Sequence, residues 1–234
     1  MWKAFEKQTK LSLVLTKNED AFAIIGDTSF KFKFVKCGLW VKHVIPNDEI
    51  INSIYMRLPS SPIFYNTIRT KVSLISFEGK TDYFSAQINQ DNIIPNRLII
   101  SFADTDAITT GNFAKNPFNF QNYKISEIDL REGTSQYPYS SALSFDFSKN
   151  KVLDGYYTLF NGIQKPSYDS HIDLNAYKNG YFFVVYDLRN SEDCPEYKEL
   201  TRSGALNLFV KFQEPPNKPI SIVCYQEFNQ TKFK

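Results

Sequence analysis

The sequence predicts an all-β fold, two antiparallel sheets facing each other as a sandwich, on three observations. Apolar and polar residues alternate at period two along most of the chain, the aromatic share is 16% with 21 Phe and 14 Tyr, and only two short segments carry helical spacing. Alternation buries one side of each strand and wets the other, and large rings fill a pleated, half-buried surface better than a small helical bundle does. With 234 residues and 42% hydrophobic content, residues 1–234 read as a single domain. A domain of that size buries roughly 70–75% of the surface its unfolded chain exposes, so neither a disulfide nor a metal is needed to hold it.

Leu11, Leu13 and Leu15 open the alternation. Phe30, Phe32 and Phe34 then alternate with Lys31 and Lys33, which places the lysines in water and the phenylalanines in a core. The run continues through Leu39 and Val41 to Ile45 as one long strand, with Lys36-Cys37-Gly38 as the bulge where the phase shifts. Asn47 or Asp48 caps a helix whose apolar residues Ile50, Ile51, Ile54, Tyr55 and Leu58 recur at three and four, and Pro59 stops it. Strands follow at 70–77, 97–102, 123–130 and 143–147. A second helix runs from Asp154 as N-cap through Tyr156, Tyr157, Leu159 and Phe160 to Gly162 as its closing glycine. The last strands are 180–188, 206–212 and 220–228, and Pro215, Pro216 and Pro219 mark the turn between the final two. Many strands with few helices describe a sandwich rather than an alternating α/β fold.

Reactive groups are scarce. Twenty-seven basic residues against 25 acidic ones leave a formal charge of +2, interspersed and without a polybasic run, so sequence-specific nucleic-acid binding is not expected. Interleaved Lys and Phe at 30–36 could serve an oligonucleotide-binding strand, but any strand buried on one face looks the same. The longest apolar run, 181–186, is far short of the roughly 20 residues that cross a bilayer, so no membrane partner is expected. The stretch 11–15 is too short for a signal peptide, which predicts a protein not secreted by that route. Cys37, Cys194 and Cys224 form no CxxC pair and read as reduced thiols. His43 falls in a strand pattern as a packed or solvent-facing ring, and His171 falls in a polar loop that lacks the spacing of a calcium site. Asp104 and Asp106 could form a glycosidase-like carboxylate pair, but acidic residues are common in turns because Asp bonds its own backbone. The sequon Asn229-Gln230-Thr231 reads as coincidental. No nucleophile-elbow, phosphate-loop, dinucleotide or zinc-protease motif occurs. The sequence therefore assigns no catalytic, cofactor-binding or metal residue, predicts no cofactor, and is not read as an enzyme.

Five stretches in fixed order carry a further signal: Asn116-Pro117-Phe118-Asn119-Phe120-Gln121-Asn122-Tyr123; Tyr156-Tyr157-Thr158-Leu159-Phe160-Asn161-Gly162; Tyr177-Lys178-Asn179-Gly180-Tyr181-Phe182 followed by Tyr186-Asp187-Leu188; Ser203-Gly204-Ala205-Leu206 with Phe212; and Val223-Cys224-Tyr225-Gln226-Glu227-Phe228. Together they resemble the major capsid proteins of Polinton (Maverick) elements and adintoviruses. Leu11-Ser12-Leu13 and the strand 35–45 are more loosely similar to the opening strands of that family's carboxy-terminal jelly roll. The resemblance implies a single jelly-roll β-sandwich of two facing antiparallel sheets with two short inserted helices. It would be equivalent to the second jelly roll of a double jelly-roll subunit whose trimers form capsomers, the first jelly roll preceding Met1. The function implied is a non-catalytic structural capsid protein acting through self-assembly. Its partners would be further copies, as a trimer, or other capsid proteins, in a virion or within the cell. A working half would expose an apolar surface, and the long polar loops 104–122 and 164–178 would make subunit contacts. The alternative is a host-retained jelly roll that binds carbohydrate or protein, which an exposed aromatic platform beside acidic residues would favour.

Overall fold

The computed structural model describes residues 14–15, 19–26, 28, 30–42, 45–61, 64–138, 140–163, 171–189 and 201–233. Two antiparallel sheets face each other across one core. The first runs β1 (Phe64–Phe77), β11 (Ile220–Phe233), β3 (Arg97–Asp104), β9 (Phe183–Asp187). The second runs β2 (Tyr83–Gln87), β10 (Leu206–Phe212), β5 (Ile125–Glu132), β6 (Ser135–Tyr137), with β7 (Leu143–Ser144) also paired to β5. A small ladder joins β4 (Phe120–Gln121) to β8 (Asn179–Gly180). The chain alternates between the sheets except where β5, β6 and β7 follow one another in the second, and the first and last strands among the described residues lie side by side over their full lengths. That wiring is a jelly roll, and the all-β sandwich expected from alternation is the architecture found.

Period two explains which side chains meet. Leu98, Ile100 and Phe102 of β3, Ile220, Ile222 and Cys224 of β11, and Leu206, Leu208, Val210 and Phe212 of β10 all turn inward and are fully buried. In β5 the inward residues Ile125 and Ile128 are three apart, which alternation alone forbids. A register shift between Lys211 and Phe212 absorbs the extra residue, so Ile125, Ile128 and Leu130 all reach the core. Rings close the two ends. Phe77 stacks on Phe212 at 5.4 Å and meets Phe84 at one end, while Phe102, Phe145, Phe147, Tyr177 and Phe182 cluster at the other.

Both expected helices are present. In α1 (Asp48–Arg57), Asn47 sits at the N-cap without a side-chain cap bond and no residue is buried. In α3 (Leu153–Ile163), which lies over β9, the start falls one residue before Asp154, so Asp154 belongs to the first turn rather than the cap. Gly162 does not close this helix from outside. It lies within it, against Val185, where a side chain has no room. Two five-residue helices were not anticipated, α2 (Thr105–Thr109) and α4 (Leu174–Lys178), each started by an aspartate that caps a backbone amide.

Several strand expectations need correction. The described residues of the expected 30–45 strand, 30–42 and 45, join no ladder and are mostly exposed, with Val35 and Trp40 above nine-tenths. Alternation specifies a face but supplies no partner, and the sandwich from β1 to β11 fills its own core without this segment. Val14 and Leu15 are likewise exposed outside any strand, and residues 11–13, His43 and Cys194 lie outside the described residues. The expected 180–188 strand breaks into β8 and β9 at the positive φ of Gly180. The expected 143–147 strand is cut to two residues, while β1 begins six residues before the expected 70 and β2 and β6 were missed. The described part of the expected 164–178 loop, 171–178, contains α4, whose Tyr177 is fully buried against Tyr156 and Phe182 while His171, Asp173 and Asn175 stay exposed.

Candidate interaction surfaces

The two aspartates considered for catalysis are brought together, but as ion-pair anchors. Asp104, at the end of β3, accepts hydrogen bonds from Lys218 Nζ at 2.7 Å, Lys115 Nζ at 3.1 Å and the amide of Asp106 at 3.0 Å. Lys115 also pairs with Asp106 at 2.7 Å, and Thr110 and Asn112 donate to the same carboxylate. Partial burial works to raise the Asp104 carboxyl, but the donors from Lys218 and Lys115 outweigh it and hold it below its ordinary value. The hydrogen bond from Lys115 holds Asp106 well below the usual carboxylate range. A glycosidase acid needs the opposite shift, so this cluster ties the 104–122 loop to the start of β11 rather than serving as a proton donor. His171 is exposed, just ahead of α4. Cys37 is exposed, while burial pushes the Cys224 thiol up to about 12. Among the described residues no group of three or more His, Cys, Asp or Glu is placed to hold a metal ion.

The outer face of the first sheet is apolar at one end. The alternation that turns Ser73, Ile75 and Phe77 toward the second sheet turns Ile68, Val72 and Leu74 outward, and all three are at least half exposed. Val72 stands opposite Tyr225 and Leu74 opposite Val223, which extends the stripe onto β11. Helix α3 covers the far end of this face at Val185 and leaves the β1 end open. Further apolar surface lies on Phe30, Phe34, Val35, Leu39, Trp40 and Val41, and on Ile50, Ile54, Tyr55 and Met56 of α1.

The outer face of the second sheet is polar and holds a shallow cleft of about 150 Å³, lined by Tyr83, Glu127, Asp129, Arg131, Phe209, Val210 and Lys211. Asp129 is its anchor and is buried. Arg131 Nε donates to it at 2.6 Å and Gln136 Nε2 at 3.1 Å. The guanidinium so held lies over the Phe209 ring at 5.1 Å, and the Tyr83 ring lies 6.4 Å from Phe209 on the other side. Sequence reasoning missed this cleft because its residues come from three strands. The readable signal was an acid, Asp129, set between the core residues Ile128 and Leu130.

No family model matches the chain. An uncharacterized protein of Caenorhabditis elegans is 23% identical over 211 residues, covering 88% of this chain and 50% of that protein. PBCV-1 VP54, in a crystal structure fitted into a cryo-EM reconstruction of the virophage Sputnik, superimposes with a TM-score of 0.40 at 11% identity, covering 76% of this chain and 51% of that one. The chain therefore spans about half the length of each of these two proteins.

Proposed function

We propose that the chain is a structural protein of capsid type that works by assembling with further copies or with other capsid subunits, as one jelly-roll domain equivalent to the second of a Polinton-type pair. The observation that carries this reading is the open apolar stripe of Ile68, Val72 and Leu74 on an otherwise complete sandwich. Val72 and Leu74 adjoin Tyr225 and Val223 across the ladder, with Ile68 set apart beyond Thr70, and exposed apolar surface of this kind supports an interaction site. The jelly-roll wiring and the ordered sequence stretches support the same reading, and assembly requires no chemically activated side chain.

Energetics set what the stripe does by itself. Completing the burial of three half-exposed aliphatic side chains returns roughly 1 kcal/mol each, against about 4–15 kcal/mol of lost freedom on association. The stripe alone therefore gives weak association, and a stable interface recruits the exposed residues of 30–42 and α1 as well. Sedimentation velocity over a hundredfold concentration range should show self-association of the full chain, weakened by the double substitution Val72→Lys and Leu74→Lys. A monomer throughout that range would overturn assembly with further copies of the chain.

A further inference from the structure

We propose that the cleft on the outer face of the second sheet binds a neutral saccharide, one pyranose ring at a time. Tyr83 presents the open platform: its ring is half exposed and stands 6.4 Å from Phe209 at an inclination of 32°, while the Arg131 guanidinium covers Phe209 itself. The flat C–H face of a pyranose carries slightly positive hydrogens, which suit the negative face of an aromatic ring. Its rim carries hydroxyls, each both donor and acceptor.

The groups around the platform match that rim. Glu127 and Lys211 stand directly opposite each other in the register of β5 and β10. Although opposite in charge, they form no ion pair with each other and make no side-chain hydrogen bond within the described residues. The Tyr83 hydroxyl is likewise without one. A carboxylate acceptor beside an ammonium donor suits two adjacent hydroxyls. Cross-strand packing accounts for Arg131 over Phe209, and Glu127 adds negative charge near that guanidinium, but the Lys211 ammonium and the Tyr83 hydroxyl take no part in it.

Charge and size narrow the class. Glu127 and Asp129 balance Arg131 and Lys211, so the cleft has no net charge to recommend a phosphate, a sulfated glycan or a cationic ligand. Its volume of about 150 Å³ is well below the roughly 300 Å³ at which drug-sized pockets begin, which suits a single ring. Asp129, which accepts from Arg131 and Gln136, holds Arg131 over Phe209 before any ligand arrives, so the floor beside Tyr83 is ordered in advance and the cost of binding is lower.

Saturation-transfer difference NMR on the full chain tests this, because it reads the ligand whether the protein is monomeric or assembled. The probes are the methyl glycosides of glucose, galactose, mannose and N-acetylglucosamine, with sialic acid, glucose 6-phosphate and choline as charged controls. At least one neutral glycoside should show saturable transfer with an affinity on the order of 1 mM, through its ring protons. Tyr83→Ala and Glu127→Gln should each weaken it at least tenfold, and Lys211→Ala serves if either variant does not fold. No saturable transfer from any neutral glycoside would overturn the proposal. So would binding unchanged in the variants, or a stronger response from a charged control.

Discussion

A methyl group added at Gly162 of α3 would stand 2.9 Å from Cβ of Val185 and 3.3 Å from its carbonyl oxygen. Alanine is the better helix former by about 1 kcal/mol, but forcing a methyl into a closed contact costs roughly 1–3 kcal/mol, so Gly162→Ala should destabilise. Urea unfolding should show a lower midpoint with an unchanged slope, and an unchanged or higher midpoint would return Gly162 to the helix-end role that its sequence position first implied. Glycine near the end of a helical pattern looks like a cap, and only the approach of β9 reveals the other reason for it. Asp104 offers a second residue-scale test. Its folded carboxyl is held below its ordinary value of 3.8, so its contribution is present above the unfolded value near 4 and is lost as pH falls below that. Stability should therefore drop between pH 5 and pH 3, and Asp104→Asn should flatten that part of the curve. An unaltered pH profile in the variant would show that the ties to Lys115 and Lys218 contribute nothing to folding.

At the scale of elements, legibility followed length and burial. The long strands could be read because their inward rows, such as Leu98, Ile100 and Phe102 or Leu206, Leu208, Val210 and Phe212, hold to period two and are buried. Strand β2 was invisible because one buried residue, Phe84, in five makes no pattern. The segment 30–42 was misread for the opposite reason, since its pattern is strong but no ladder receives it. Helices α2 and α4 are too short for periodicity, and only the capping residues Asp104 and Asp173 announce them. The candidate surfaces were less legible than the fold because each is assembled from several strands brought into register. Helix α4 matters because it delivers Tyr177 to the core, where the ring is buried and its hydroxyl has no partner among the described residues. Tyr177→Ala should therefore cost about 3–5 kcal/mol, whereas Tyr177→Phe, which removes only the unpartnered hydroxyl, should be neutral or stabilising. Chemical denaturation of both variants decides it. Equal losses would mean that the hydroxyl, not the ring, is what the core holds.

For the whole molecule, the two sheets divide the work. Their inner faces form one closed core, while their outer faces differ in kind, apolar on β1 and polar around Asp129. Such a division lets one face assemble while the other stays in water, and Trp40 reports on it. Trp40 is 98% exposed, in a segment that is also rich in exposed Phe and Val. If 30–42 supplies part of the burial that the β1 stripe lacks, Trp40 should leave water on association. Its emission should then shift to the blue as the chain is concentrated through its association range. Trp2 is the other tryptophan of the chain, so the measurement belongs on a Trp2→Phe background. The shift should vanish when Val72→Lys and Leu74→Lys weaken association. Assembly without any change in Trp40 emission would remove 30–42 from the interface and leave α1 to supply the burial that the β1 stripe lacks.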